Sequence, residues 1–204
     1  MIYKAVLFDL DGTLLDTLKD IADSVNIALD QLGFPQHEVE AYKYFVGDGR
    51  EALAIRALPE DCRDTVNVDK LAASIEAEYS RRWAINTRAY EGVPDMLQTL
   101  KDLGIKMAIL SNKPQASAEE MVAKYFSQWR FELTLGARSS IPMKPDPTAA
   151  LHIARRLNIP PAEFLYLGDT DVDMKTASAA GMYPVGALWG FRTTDEPRDI
   201  GIVT

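Results

Sequence analysis

Two aspartates, Asp9 and Asp11, follow a short apolar run near the start of the sequence, with Gly12 and Thr13 directly after them. An apolar run of this length is typical of a buried strand, and the glycine indicates a sharp turn at its end. Carboxylates at the C-terminal end of a strand lie where open α/β sheets bind ligands. One interpretation is a nucleophile, Asp9, with an acid/base partner, Asp11. The alternative is that both side chains merely cap a turn.

Further polar side chains occur where later strands are predicted to end, or in the loops beyond them. They are Ser111, Asn112, Lys144, Asp169, Asp171 and Asp173. The C-terminal ends of parallel strands meet at one edge of a sheet, so we expect these groups to converge. Several aspartates suit Mg²⁺, which prefers oxygen ligands. A lysine with hydroxyl and amide donors suits the charge of a phosphoryl group in its transition state.

The spacing of Asp9 and Asp11 suits two distinct roles. An aspartate nucleophile would form an aspartyl-phosphate, and a second carboxylate could protonate the leaving alcohol and then deprotonate the attacking water. Strand alternation would point the two side chains apart, so we expect the chain to leave strand geometry at Leu10.

Taken singly, the later groups have structural alternatives. Ser111 and Asn112 are also typical of a helix N-cap, and Lys144 could lie in a plain loop before Pro145. The stretch 168–173 resembles part of a calcium loop, but it lacks the glycine and terminal glutamate of an EF-hand. Their joint occurrence, in this order, favours a phosphoryl-transfer site.

The elements that must position these residues follow from hydrophobic spacing. From about residue 15 to 85 we find helical periodicity and no convincing strand, which indicates an inserted helical subdomain. From residue 90 onward strands and helices alternate, which predicts a parallel sheet with right-handed crossovers. We therefore predict an α/β fold, with a Rossmann-like parallel sheet core from residues 1–14 and 86–204 and a helical insert from residues 15–85.

Composition excludes several classes of protein. The net charge of −8 argues against a nucleic-acid binder, which normally shows a basic face. The single cysteine, Cys62, excludes an internal disulfide and a multi-cysteine zinc site, and no histidine nearby would activate it. We see no apolar run long enough to span a bilayer and no signal peptide, so we expect a soluble cytoplasmic protein.

The sequence resembles the haloacid dehalogenase (HAD) superfamily and, within it, the phosphoglycolate phosphatase-like branch. All four superfamily motifs are present in order, in segments 9–14, 110–112, 144–147 and 167–173. The resemblance implies a nucleophile at Asp9, an acid/base at Asp11, phosphate ligands at Ser111, Asn112 and Lys144, and Gly12 and Thr13 near the phosphoryl group. It also implies Mg²⁺ ligands at the Asp9 carboxylate, the Asp11 backbone carbonyl and the Asp169 carboxylate, with Asp173 supporting the metal shell or the lysine; the role of Asp171 is left open.

By the same resemblance the helical insert looks like the small cap domain of the family, which closes over the site and chooses the leaving group. Segment 46–50 resembles the substrate-facing loop of that cap, where Arg50 could pair with an anionic substrate. The alternative is a surface turn before a helix. Segment 188–191 also resembles this branch, and we expect its role to be structural.

The expected activity is Mg²⁺-dependent hydrolysis of a small-molecule phosphate monoester, with phosphoglycolate as one candidate among sugar phosphates, nucleotides and pyrophosphate. The alternatives within the superfamily are a β-phosphoglucomutase-like phosphotransferase and a pyrophosphatase. Haloacid dehalogenases lack an acid at the position of Asp11, so Asp11 argues against a dehalogenase. Phosphonatases need a lysine in the cap, and the 47–50 loop contains none, which argues against a phosphonatase. We expect no nucleic-acid or membrane partner, and a monomer or homodimer.

Outside enzymology the alternative is a receiver-type phosphoaccepting signalling domain, which also combines clustered aspartates, a hydroxyl residue, a lysine and Mg²⁺. In that fold the acid pair precedes the phosphorylated aspartate, and no large insert follows the first strand. Here a glycine and a threonine follow the aspartate pair directly and the insert is long, which argues against such a domain.

Overall fold

The structure, a computed structural model, describes residues 3–192. Its strands are β1 (Ala5–Phe8), β2 (Leu15–Asp16), β3 (Arg88–Ala89), β4 (Lys106–Pro114), β5 (Leu133–Ala137), β6 (Phe164–Gly168) and β7 (Tyr183–Gly186). Its α-helices are α1 (Leu18–Gln31), α2 (Tyr42–Phe45), α3 (Gly49–Ala57), α4 (Thr65–Arg82), α5 (Val93–Asp102), α6 (Gln115–Tyr125), α7 (Thr148–Leu157) and α8 (Asp171–Ala180). The described residues form two compact units: one holds those up to Leu15 and from Ala89 onward, and the other holds Asp16–Arg88.

The first unit is built on a five-stranded sheet in the order β5-β4-β1-β6-β7, with every neighbouring pair parallel. Strand β1 is central, so Phe8 at its end pairs with Ile109 of β4 on one side and Leu167 of β6 on the other. The predicted α/β fold with a parallel sheet is confirmed. The C-terminal ends of β4, β1 and β6 are therefore neighbours at one edge of the sheet.

The continuous apolar character of β1 has a direct cause in its position. All four of its residues are buried, because helices cover both faces of a parallel sheet of this kind. On one face Leu7 belongs to a core cluster that includes Ile153 of α7 and Ala177 of α8. Full burial of one such aliphatic side chain contributes about 2 kcal/mol to folding, so this core makes β1 a rigid base for the residues after it.

Strand β4 is longer than its apolar run predicts. The run ends at Leu110, but the strand continues to Pro114, and Pro114 still pairs with Ala137 of β5 after a shift in register. Ser111 and Asn112 therefore lie inside the strand. The N-cap alternative for these two residues is wrong, since helix α6 begins at Gln115 and its N-cap position is Pro114.

The second unit is helical, apart from its ends. Helix α1 buries one apolar stripe that includes Val25 and Leu29, and it ends before Gly33, which has the positive φ of 77° expected of a helix-terminating glycine. The expectation of no strand between residues 15 and 85 is wrong at Leu15–Asp16, where β2 pairs with β3. Two residues are too few to show a strand periodicity. No helix in residues 3–192 combines the length and the apolar character needed to cross a bilayer.

One buried carboxylate ties the two ends of the second unit together. Asp20, in the first turn of α1, accepts hydrogen bonds from four donors, which are the backbone N–H groups of Asn86 and Thr87, the Asn86 side-chain amide and the Thr87 hydroxyl. Burial alone would raise the pKa of Asp20, but the hydrogen bonds from Asn86 and Thr87 outweigh it and lower the pKa below its usual 3.8.

We expect Asp20→Asn to destabilise the second unit by about 2–4 kcal/mol at neutral pH, because the buried donors lose their charged acceptor. A lowered carboxyl pKa contributes stability that is complete above pH 3.8 and is lost as pH falls through the folded-state pKa. The difference between wild type and variant should therefore be constant from pH 8 to pH 5 and shrink below pH 4. Denaturant unfolding across this range measures it, and a difference that stays constant down to pH 3 would contradict the assignment.

Candidate active site

The chain leaves strand geometry directly after Asp9. The Asp9 N–H still donates to the carbonyl of Leu167 in β6, at 2.9 Å. The Leu10 carbonyl then accepts from the N–H of Leu14 at 3.0 Å, and Gly12 has a φ of 84°. The strand alternation predicted to fail at Leu10 does fail there, and the chain turns tightly back toward β2.

This turn packs against Asp169 so closely that only glycine fits. A Cβ placed on Gly12 would lie 2.3 Å from Oδ2 of Asp169, and a Cβ on Gly190 would lie 2.2 Å from the Asp169 Cβ. The indole N–H of Trp189 donates to the carbonyl of Thr13 at 3.0 Å. Segment 188–191 therefore acts structurally, by holding the turn after β1 against the end of β6.

Asp169 follows β6 and is held by two donors. The Thr13 hydroxyl donates to its Oδ1 at 3.1 Å, and the Phe191 N–H donates to its Oδ2 at 2.9 Å. The Thr13 side chain is fully buried against Asp169. Contact of Gly12 or Thr13 with a phosphoryl group stays a prediction. Because the Thr13 hydroxyl is bonded to Asp169, such a contact of Thr13 would involve its backbone.

Lys144 joins two of the predicted acids. Its Nζ lies 2.8 Å from Oδ1 of Asp9 and 2.7 Å from Oδ1 of Asp173, and all three side chains are buried. Burial disfavours the charged lysine, but the adjacent Asp173 and Asp9 outweigh it and raise the pKa of Lys144 well above 10.5. Lys144 is therefore a fixed positive charge at the sheet edge, and the plain-loop alternative does not describe it.

The N-terminus of α8 supplies Asp173. Its Oδ2 accepts from the N–H and hydroxyl of Thr170, which caps the helix, while its Oδ1 accepts from Lys144. Of the two functions predicted for Asp173, support of the lysine is the one seen in the contacts. Asp171, by contrast, makes an exposed pair with Lys175 one turn later in the helix.

The side chain of Asn112 holds the backbone of Lys144. Its Nδ2 donates to the Lys144 carbonyl at 3.0 Å, and its Oδ1 accepts from the Lys144 N–H at 2.9 Å. Neighbouring Ser111 is also buried, and its Oγ accepts from the N–H of Lys113 at 3.2 Å. Phosphate binding by Ser111 and Asn112 stays a prediction, but the Asn112 amide already serves to position the lysine.

Three buried carboxylates gather at the edge. Asp9, Asp169 and Asp173 each offer an oxygen, and these oxygens lie within 4.8 Å of one another. Burial raises the pKa of Asp9 to about 7, with Asp173 adding to the effect and Lys144 opposing it. Burial, Asp173 and Asp9 likewise raise the pKa of Asp169. The three carboxylates offer only oxygen ligands, and when ionised they carry more negative charge than the positive charge of Lys144 can balance. Such a group fits a hard divalent cation such as Mg²⁺.

Lys113, to which the sequence assigned no function, donates from Nζ to Oδ2 of Asp11 at 2.8 Å. The sequence places Lys113 two residues after Ser111, but alternation does not fix its face, because β4 shifts register between Leu110 and Pro114.

Arg50 lies in the other unit, where it pairs with Glu76 of α4; its contact with substrate stays a prediction.

Comparison with known proteins now places the chain. The sequence model of one family, described as haloacid dehalogenase-like hydrolase, matches residues 6–187, which is most of the chain. The chain belongs to the haloacid dehalogenase-like hydrolases. The predicted family is therefore confirmed, and membership excludes the receiver-type signalling domain.

Relatives and solved structures agree with this placement. The chain is 33% identical to a phosphoglycolate phosphatase of Nitrosospira multiformis over 97% of its own length and 87% of the relative's. It is 34% identical to one of Pseudomonas putida over 92% and 70%. A structure from Lactobacillus delbrueckii subsp. bulgaricus superposes with a TM-score of 0.93 at 29% identity, covering 100% and 95% of the two chains. These likenesses confirm the phosphoglycolate phosphatase-like branch and an enzyme of the phosphatase class.

We expect Asn112→Ala to lower kcat on p-nitrophenyl phosphate by about 10–100-fold, because Lys144 is a predicted phosphate ligand and positioning of such a charge by fixed neighbours accounts for rate factors of this size. The substitution removes both hydrogen bonds to the Lys144 backbone. Steady-state kinetics should be run where circular dichroism shows the variant folded. Asn67→Ala, which changes a partly exposed asparagine near the start of α4 in the other unit, is the matched control. A kcat within twofold of wild type would refute the positioning role of Asn112.

Proposed function

We propose that this hydrolase is a Mg²⁺-dependent phosphatase that cleaves a small-molecule phosphate monoester through an aspartyl-phosphate on Asp9. The observation that carries the proposal is the contact of Lys144 with both Asp9 and Asp173, at 2.8 and 2.7 Å, next to Asp169. In such a pair at the end of a parallel strand, the buried carboxylate can act as the nucleophile and the lysine supplies a positive charge for the phosphoryl oxygens.

In the first step an Asp9 carboxylate oxygen attacks the phosphorus, and the bond from phosphorus to the ester oxygen breaks. Asp11 donates its proton to the leaving oxygen, which departs as an alcohol. Lys144 offsets negative charge on the transferring group, and Asp173 and the Asn112 clamp keep it in place. The product is a mixed anhydride of Asp9 and phosphate.

In the second step a water molecule attacks the phosphorus of the aspartyl-phosphate. Asp11, now ionised, takes a proton from this water, and the bond between phosphorus and the Asp9 oxygen breaks. Phosphate leaves, and both aspartates return to their starting states. The two steps together consume one water and one ester and release one alcohol and one phosphate.

The Asp9 and Asp169 carboxylates, with the Asp11 backbone carbonyl, are the groups that would hold Mg²⁺. When bound, the ion would neutralise charge on the phosphoryl oxygens and bring the phosphate close to a carboxylate nucleophile. The raised pKa values of Asp9 and Asp169 support this part of the proposal, because a cation would favour their ionised forms.

Phosphoglycolate is the first substrate to test, since the relatives named above are phosphoglycolate phosphatases. Their names also favour water as the phosphoryl acceptor over the sugar phosphate of a β-phosphoglucomutase-like enzyme. In this proposal the helical unit 16–88 is the cap, and Arg50 is its candidate contact for the carboxylate of the substrate. The guanidinium of Arg50 is partly exposed and pairs with Glu76, so it could exchange that partner for a substrate anion.

We expect Asp9→Asn to lower kcat at least about 1,000-fold, since an amide cannot form the aspartyl-phosphate. Turnover of p-nitrophenyl phosphate and of phosphoglycolate, with and without Mg²⁺, measures the effect. Asp171→Asn removes an exposed carboxylate of the last motif and should stay within about twofold of wild type. Retained turnover in folded Asp9→Asn would refute the assignment of Asp9 as the nucleophile. Hydrolysis of the aryl ester without hydrolysis of phosphoglycolate would refute only phosphoglycolate as the substrate.

We expect Mg²⁺ to bind more tightly as pH rises, with release of protons. The raised pKa of Asp9, about 7, means that the metal-free protein holds a proton there at pH 6 that a bound cation displaces, whereas at pH 8.5 the carboxylate is already ionised. Titration calorimetry in two buffers of different ionisation enthalpy measures this release. Asp9→Asn should release fewer protons at pH 6. Equal release at pH 6 and pH 8.5 in the wild type would contradict the prediction.

A further inference from the structure

A second buried lysine contacts the proposed acid/base. Lys113 lies near the C-terminal end of β4, and its Nζ donates to Oδ2 of Asp11 at 2.8 Å. The side chains of Lys113 and Asp11 are only 6% and 12% exposed, whereas those of the Lys175–Asp171 pair on α8 are 59% and 36% exposed. The Lys113–Asp11 pair is therefore shielded from solvent, and its geometry is more restrained than that of a surface pair.

The two carboxylate oxygens of Asp11 have different surroundings. Oδ2 is held by Lys113, whereas Oδ1 is buried and has no hydrogen-bond partner among residues 3–192. A buried carboxylate oxygen that accepts no hydrogen bond costs free energy, so its retention calls for an explanation. An oxygen of substrate or of water is the partner that a general acid/base requires.

Lys113 is well placed to orient this carboxylate because it belongs to the sheet. Strand β4 pairs with β1 up to Ile109 and Phe8, and it extends past a shift in its register with β5 to include Lys113. Asp11, by comparison, lies in the turn after β1. The ion pair thus fixes a side chain of the turn to an adjacent strand, and the orientation of the carboxylate depends on that strand.

We propose that Lys113 is a positioning residue for proton transfer: by holding Oδ2 of Asp11 it directs Oδ1 to the ester oxygen that leaves and then to the water that attacks. This inference rests on the proposed function, since it requires Asp11 to act as the acid/base. No bond to Lys113 is made or broken. The proton moves between Oδ1 of Asp11 and the reacting oxygen, as in the two steps above.

Two other functions of Lys113 would produce different kinetics. A lysine that bound an anionic group of the substrate would matter only for substrates with such a group, and it would matter equally when Asp11 is absent. A lysine that only anchored the turn would affect all substrates alike. A positioning residue for the acid should instead matter most where the leaving group needs a proton.

The test measures kcat/KM of Lys113→Met and wild type on two esters that carry no charged group besides the phosphate. They are an alkyl phosphate, such as ethyl phosphate, and the aryl ester p-nitrophenyl phosphate. The ratio kcat/KM reports steps up to the departure of the alcohol. An alkoxide leaves poorly without a proton, whereas p-nitrophenolate leaves readily. We expect kcat/KM to fall at least about 30-fold on the alkyl ester and about 3-fold or less on the aryl ester, since general acid catalysis contributes factors of this order.

A double-mutant cycle with Asp11→Asn provides the second readout. If Lys113 acts through Asp11, adding Lys113→Met to Asp11→Asn should change kcat/KM on the alkyl ester by no more than about twofold, because the proton donor is already gone. A multiplicative loss in the double variant would overturn the proposal. So would equal losses of the single variant on the two esters.

Lys175→Met is the matched control, because it removes a lysine from an exposed pair with an aspartate in the same unit. If Lys113→Met does not fold, Lys113→Gln and Lys113→Arg carry the comparison, and Lys113→Arg should regain part of the alkyl-ester activity by restoring the charge. Failure of the proposed function has a separate signature: the wild type would then show no Mg²⁺-dependent turnover of either ester.

Discussion

A buried positive charge, the Lys144 ammonium, is the constraint on which the site depends. An ammonium group away from water is stable only when paired and hydrogen-bonded, so the chain must supply acceptors from several elements. Asp9 comes from the end of β1 and Asp173 from the first turn of α8, where its second oxygen is occupied by the helix cap. Asn112 of β4 fixes the backbone of the lysine itself. Strand β1 and helix α8 are thereby joined through the Lys144 side chain, and β4 is joined to them through the Lys144 backbone.

The charges at this edge do not cancel, and the imbalance has a functional meaning. Asp9, Asp169 and Asp173 lie within a few ångströms of one another, and Lys144 is the cation that contacts two of them. Burial and mutual repulsion raise the pKa values of Asp9 and Asp169. A phosphate ester is itself an anion, so a site of this kind would repel its substrate. In the proposed function, a divalent cation held by these carboxylates would remove both difficulties and would make metal binding and substrate binding interdependent.

The sequence could predict what depends on local pattern. The apolar run of β1, the break at Leu10 and the alternation of strands and helices all follow from residue order, and they were sufficient to predict a parallel sheet with its polar groups at one edge. It could not predict the continuation of β4 through Ser111 to Pro114, since that depends on pairing with β5. Nor could it assign Lys113 to Asp11, because that contact joins residues 102 positions apart. Side-chain partners across a sheet leave no periodic trace.

The close packing around Asp169 explains why the turn after β1 has its particular composition. Gly12 and Gly190 lie so close to Asp169 that a Cβ on either would clash with its side chain, and Thr13 and Phe191 supply donors to its two oxygens. The carboxylate is therefore fixed by backbone as much as by side chains. Asp11 lies in this turn and Asp9 directly precedes it, so we expect a shift of Asp169 to alter the contacts of both aspartates with Lys144 and Lys113. The single-residue spacing of the two aspartates thus places each acid against a different lysine, Asp9 against Lys144 in the loop before α7 and Asp11 against Lys113 in β4.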